Sequence, residues 1–122
     1  MLIPELNTYA VIEQNGKYLL LKRRNGIWEF PGGSIEKGES PERACEREAY
    51  EESGLNVRAG RMICTTSAIF EGKCALYAVY ECRKIGGKLK ISEEHEDCRW
   101  ASKKEMKELK MGFNVQPVLQ YI

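Results

Sequence analysis

Little in the chain ties it to the cell exterior or to a membrane. Its five cysteines, Cys45, Cys64, Cys74, Cys82 and Cys98, are odd in number and contain no Cys-x-x-Cys pair. That argues against the disulfide framework of a small secreted domain and against a structural zinc site. They read as small buried hydrophobes in a reducing compartment. Residues 1–21 lack a basic start and a continuous apolar stretch, and no apolar run approaches the ~18 residues of a membrane span, so a cytoplasmic location without membrane contact is expected. Charge of one sign is missing too: 19 basic side chains face 18 acidic ones, for a net charge of +1. That balance argues against a binder of nucleic-acid polymers. Repeats, low-complexity segments and linkers are absent, and 122 residues suffice for one domain, 1–122, that buries roughly two-thirds of its unfolded surface.

What is present alternates strand and helix signals. Thr8–Glu13 and Tyr18–Leu21 are β-prone runs separated by Asn15-Gly16, a strong hairpin signal. Asn25-Gly26 turns the chain before Trp28-Glu29-Phe30, and Pro31-Gly32-Gly33 forms a loop. Ser40-Pro41 starts a helix as N-cap and first helical residue, and Gly54 ends it. Val57–Phe70 and Cys74–Arg83 read as long strands joined by Glu71-Gly72-Lys73. Ile85–Ile91, with Gly86-Gly87, reads as a turn leading into a short strand. Residues 92–97 form a charged loop, Cys98–Ala101 a strand, and Ser102 caps a helix to Lys110 with Glu105 completing a capping box. Asn114–Ile122 is a last short helix. This order describes an α/β domain with a mixed sheet and helices on its faces.

The net charge averages over opposites. Residues 36–52 carry seven glutamates against three basic residues, a local charge of −4, and residues 93–97 add four acids, so eleven of 18 acidic groups lie in two short segments. Within the first helix, Glu48, Glu51 and Glu52 stand at i, i+3 and i+4, on one side. Like charges so spaced cost roughly 0.2–0.5 kcal/mol per exposed pair. A cation between them relieves the repulsion, and all-oxygen ligation selects a hard ion such as Mg²⁺ or Mn²⁺. The helix alone reads more readily as a solvated face held by Arg43 and Arg47.

The spacing around the helix decides between these. From Gly33, five residues lead to Glu39, seven more to Arg47-Glu48, then Ala49, Tyr50, Glu51-Glu52, Ser53, Gly54 and Leu55. This segment resembles the Nudix hydrolases, whose signature box it matches at every defined position, and Trp28-Glu29-Phe30-Pro31-Gly32-Gly33 resembles the lead-in to that box. The resemblance implies a Nudix-fold α/β/α sandwich with a mixed β-sheet and a loop-helix-loop. In it Glu48, Glu51, Glu52 and the carbonyl of Gly32 hold Mg²⁺ or Mn²⁺, while Gly33, Glu39, Arg47 and Gly54 are structural and Arg47 pairs with Glu39. The implied reaction is attack of water on a P–O–P linkage of a nucleoside diphosphate derivative. Either Glu48 or a loop acid serves as general base; Glu94 is the first choice, with Glu93 and Glu96 as alternates. His95, the only histidine, has a suitable ordinary pKa, but a metal-activated water does not need it.

Marks of the ADP-ribose, dinucleoside-polyphosphate, coenzyme A and NADH branches are missing outside the box. What remains resembles the mutator-T branch: cleavage of a nucleoside triphosphate, including an oxidised one of the 8-oxo-dGTP kind, to monophosphate and pyrophosphate. Hydrolysis of ADP-ribose or another nucleotide sugar is the alternative, and a non-catalytic nucleotide-sensing module the second. By the same resemblance Arg24 reaches a phosphate or base, Phe30 lines the pocket, and Asn114 bonds a purine edge, unless it is a helix N-cap. Trp28 stacks on a base or is structural, and Tyr77 and Tyr80 are strand residues. The lysines at 84, 88, 90, 103, 104, 107 and 110 read as a solvated face. The partner is a small nucleotide, with a homodimer left open.

Overall fold

Asn15 (φ 54°) and Gly16 (φ 77°) are both left-handed, as a two-residue hairpin turn that follows strand twist requires, and they join β1 (Glu5–Gln14) to β2 (Lys17–Arg23). The computed structural model describes residues 4–112 and 114–122, with Phe70 described by its backbone alone; residues 1–3 and 113 of the expected domain lie outside it. Along the chain follow β3 (Trp28–Glu29), β4 (Gly32–Ser34), α1 (Pro41–Ser53), β5 (Leu55–Phe70), β6 (Lys73–Gly87), β7 (His95–Ser102), α2 (Lys103–Met106) and a 3₁₀ helix (Gln116–Tyr121). The strands form one mixed sheet in the order β3-β2-β1-β6-β5, with β4 beside β1 and β7 beside β2. β1 and β6 run parallel; the other pairs are antiparallel.

β1 is covered on both faces, which explains why its sequence alternates so imperfectly: Asn7 to Ile12 are all buried. Ala10 and Ile12 point to a core shared with Leu19, Tyr80 and Cys82 and roofed by Cys45 and Ala49 of α1. Tyr9 and Val11 point the other way, to Leu20, Trp28, Phe30, Met106 and Val118. Helical elements on both faces make the expected sandwich. Trp28 is thus structural, under the cations of Lys22 and Arg99. The cysteines are free; Cys45 and Cys82 are buried as expected, with sulfurs 3.5 Å apart, whereas Cys74 is exposed. No helix among the described residues is long and apolar enough to cross a membrane.

Several expected elements differ. Gly32–Ser34 is strand β4 rather than part of a loop, and β7 takes in residues 95–97 of the expected charged loop. Ile85–Gly87 is no turn but the end of β6, with Gly86 and Gly87 still paired with Asn56 and Leu55, and residues 88–92 then run without regular structure across the end of α1. There the N–H groups of Lys90 and Ser92 donate to Ser53 O (2.7 Å) and Glu52 O (3.2 Å), carbonyls that the end of a helix leaves free. The capping box at Ser102 and Glu105 forms, with bonds of 3.1 and 2.9 Å, but α2 stops at Met106: the Lys107 N–H still reaches Lys103 O at 3.3 Å, and those of Glu108 and Leu109 reach back only three residues. The last helix is 3₁₀, starting at Gln116.

Candidate active site

α1 begins as its caps dictate. Ser40 Oγ accepts from the Arg43 N–H (3.2 Å), and Gly54 (φ 77°) donates its N–H to Tyr50 O (2.8 Å). Arg47 gathers the carboxylates on one side. Its Nε donates to Glu39 (2.7 Å), and its Nη1 donates to Glu48 (2.9 Å) and Glu51 (3.3 Å). The expected pairing with Glu39 is therefore present. The guanidinium, with the N–H of Glu36, holds the Glu39 carboxyl down at about 2, and Glu39 in turn raises Arg47. Glu51 stays half-exposed, facing Arg47 and solvent.

Glu52, one residue on, is turned 100° inward and is 6% exposed. Its Oε1 accepts from the Gly32 N–H (2.8 Å). Burial pushes its carboxyl up to about 9; the Gly32 bond opposes this, while Glu29, Glu94 and Glu48 add to it. Glu48 is also raised, by burial first, against the pull of Arg47. Gly33 makes room for it: a Cβ there would lie 2.5 Å from the Glu48 carboxyl. Gly32 is pressed against β1 so closely that a Cβ would strike the Thr8 carbonyl.

Glu52, Glu94, Gly32, Gly33 and Arg24 line a cavity of about 490 Å³; Glu48, Glu51, Phe30 and Asn114 do not. Phe30, expected at the pocket, is fully buried in the core with its ring edge-on to Tyr9, and it is Tyr9 that lines the cavity. Asn114 is not an N-cap, because Val115 holds that place; its Nδ2 donates to the Tyr9 hydroxyl (2.8 Å). Arg24 donates through Nε and Nη2 to Glu93 O (3.2 and 2.7 Å), tying the β2 end to the acidic loop. Glu96 pairs with Lys22 at 3.4 Å. Tyr77 stacks on Tyr9 with centroids 4.4 Å apart, whereas Tyr80 bonds Glu42 from the opposite face.

Sequence reasoning missed Glu29. It is 8% exposed and accepts from Arg23 Nε (2.8 Å) and faces His95 Nε2 (2.9 Å), with the Tyr9 hydroxyl at 3.4 Å. Burial alone would raise its carboxyl, but the His95 and Arg23 bonds prevail and lower it. The signal was available: one acid between Trp28 and Phe30 in a strand, six residues after an arginine.

The donor set fits a divalent cation. Ligand atoms of Glu52, Glu94 and His95 lie within 4.8 Å of one another. Without a counter-ion Glu52 is held protonated, which is the state a cation reverses.

A profile of the NUDIX domain matches residues 4–122. The chain is 33% identical over 100 residues to a MutT-like protein of Streptomyces ambofaciens, covering 81% of this chain and 64% of that protein. It is 32% identical over 101 residues to the CTP pyrophosphohydrolase of Escherichia coli (strain K12), covering 79% and 74%. The solution structure of the E. coli ORF135 protein superposes with a TM-score of 0.89 at 27% identity, covering 98% of this chain and 89% of that one.

Proposed function

The chain belongs to the Nudix family, and from that premise we propose that it hydrolyses nucleoside triphosphates to a monophosphate and pyrophosphate with a divalent cation, Mg²⁺ or Mn²⁺, bound by Glu48, Glu51, Glu52 and Glu94 with the Gly32 carbonyl. The observation that carries this is the polarity of the cavity: the acids Glu52 and Glu94 and the guanidinium groups of Arg24 and the half-exposed Arg23 line one space. Such a cleft takes a polyphosphate and a cation together. The relative's name, CTP pyrophosphohydrolase, supports a triphosphate.

When bound, the cation neutralises phosphate charge and lowers the pKa of a water. The chain's own groups do the rest. Arg23 and Arg24 hold phosphate oxygens by charge-assisted hydrogen bonds. Glu94, exposed on its loop, takes the proton of the attacking water with the carboxylate oxygen it does not lend to the ion; Glu48, anchored by Arg47, is the other candidate. Stacked Tyr9 and Tyr77 give the base an aromatic wall. Asn114 acts through the Tyr9 hydroxyl it holds.

A panel of nucleoside triphosphates, ADP-ribose and dinucleoside polyphosphates with Mg²⁺, read by product identity, tests this. Pyrophosphate and monophosphate from a triphosphate is the expected result. AMP and ribose phosphate from ADP-ribose alone would move the assignment to nucleotide sugars. Binding without turnover of any compound would make the chain a nucleotide-sensing module.

A further inference from the structure

His95 opens β7, and a bulge decides where it points. Lys22 pairs with Asp97, and a regular ladder would then pair Arg23 with Glu96; Arg23 pairs with His95 instead, leaving Glu96 as the extra residue. Bulges of this kind re-aim side chains beside active sites. Glu96 goes out to Lys22, and His95 goes in, 4% exposed, onto the wall of the cavity.

Its two ring nitrogens meet different fates. Nε2 lies 2.9 Å from a Glu29 carboxylate oxygen. An ionised carboxylate only accepts, so Nε2 carries a proton and, in the neutral imidazole, Nδ1 is a bare lone pair. That Nδ1 is buried and has no hydrogen-bond partner among the described residues. Buried acceptors are normally satisfied. Glu29 is locked in turn by Arg23 and Tyr9, and Tyr9 by Asn114, so the ring is held from behind by a chain of bonds running to the far end of the sequence. A histidine whose second nitrogen donates to a carboxylate is the usual arrangement of a metal-ligating imidazole.

Resting on the divalent-cation reading above, we propose that His95 Nδ1 is a ligand of the ion held by Glu52 and Glu94, so that the site favours Mn²⁺, which accepts an imidazole more readily, over Mg²⁺. Two ligand atoms sharing an ion through bonds of ~2.1 Å are at most ~4.2 Å apart. Three such atoms around one ion stand nearer ~3–3.6 Å apart, so the cluster, in which the carboxylate oxygens and a ring nitrogen of His95 lie within 4.8 Å of one another, closes onto an ion with side-chain shifts of about an ångström. Replacing one oxygen by an imidazole nitrogen costs Mg²⁺ more than Mn²⁺.

The test is spin-echo modulation spectroscopy of the tag-free protein loaded with Mn²⁺. His95 is the sole histidine, so feeding ¹⁵N-histidine labels this ring alone. Modulation from a coordinated nitrogen that changes from the ¹⁴N to the ¹⁵N pattern on labelling is expected. So is a loss of about tenfold or more in Mn²⁺ affinity by calorimetry in His95→Gln, with a smaller loss for Mg²⁺. Bound Mn²⁺ whose spectrum ignores the label overturns the proposal without need of the variant, and so does equal Mn²⁺ affinity in a folded His95→Gln. Nitrogen coordination without turnover of any triphosphate would keep this ligand and sink the hydrolase reading. Turnover with a label-silent spectrum would do the reverse, and absence of Mn²⁺ binding would end both.

Discussion

Helix α1 carries two clusters of glutamate that differ in what balances them. Around Arg47 stand Glu39, Glu48, Glu51 and, at 3.7 Å, Glu36. The guanidinium supplies their counter-charge, Glu39 is held strongly ionised, and the web stitches the loop before α1 to its middle. Around Glu52 stand Glu29, Glu94 and Glu48, and the carboxyl is pushed towards its neutral form. Glu29 there is balanced by Arg23 and His95; Glu52 has one backbone N–H. The same residue type is thus neutralised by the chain at Glu39 and left without a counter-charge at Glu52, with Glu48 standing between the two. Arg47 and Glu52 are the two ends of that contrast.

The largest break comes from Glu52→Gln. Hydrolysis should fall by about a thousandfold or more, while melting of the metal-free protein stays level or rises, because a carboxyl that must take up a proton on folding has been removed. A metal-free melt lowered like that of a core variant would show Glu52 to be structural after all. Arg47→Ala should do the opposite. It strands Glu39, Glu48 and Glu51, and denaturant unfolding should show a loss of ~1–3 kcal/mol, a range that allows for the partial exposure of the web, with activity reduced through misplaced carboxylates.

Gly33→Ala sharpens the contrast at a single atom. The added Cβ meets the flexible end of Glu48 2.5 Å away, so the side chain swings aside. Metal affinity by calorimetry should drop several-fold with stability within ~1 kcal/mol of wild type. Glu39→Gln should give the smallest effect, in pH dependence alone. Glu39 is lowered from 4.5 to about 2, so its stabilisation is present above pH ~4.5 and is lost as pH falls towards 2. Melting curves of the variant across that window should be flatter than those of wild type.

Most of the skeleton was legible because its signals are local. Asn15-Gly16, Ser40-Pro41, Gly54 and the Ser102-Glu105 box each act on atoms within four residues, and each does what its chemistry requires. Ile85–Gly87 was misread because two adjacent glycines mark a turn only where no neighbouring strand holds them, and Leu55–Val57 does. The helix after Ser102 was expected to reach Lys110; its lysine-rich continuation presents few apolar groups to the sheet, and after Met106 the backbone tightens. Phe30 was placed at the pocket and lies beneath it, since which side of a strand faces a cavity depends on what covers each face.

By itself the amino-acid sequence determined the box from Gly33 to Leu55, the acidic face of its helix and the arginine that balances part of it, all at helical spacing. Tertiary structure alone decided which glutamate would be left without a counter-charge. Glu29, 23 residues before Glu52, Glu94, 42 after it, and His95 on a bulged strand meet at Glu52 only because β1 is buried on both sides and residues 88–92 cap the end of α1. Electrostatic interactions in a desolvated cleft depend on distance through space and on excluded water, neither of which the order of residues records.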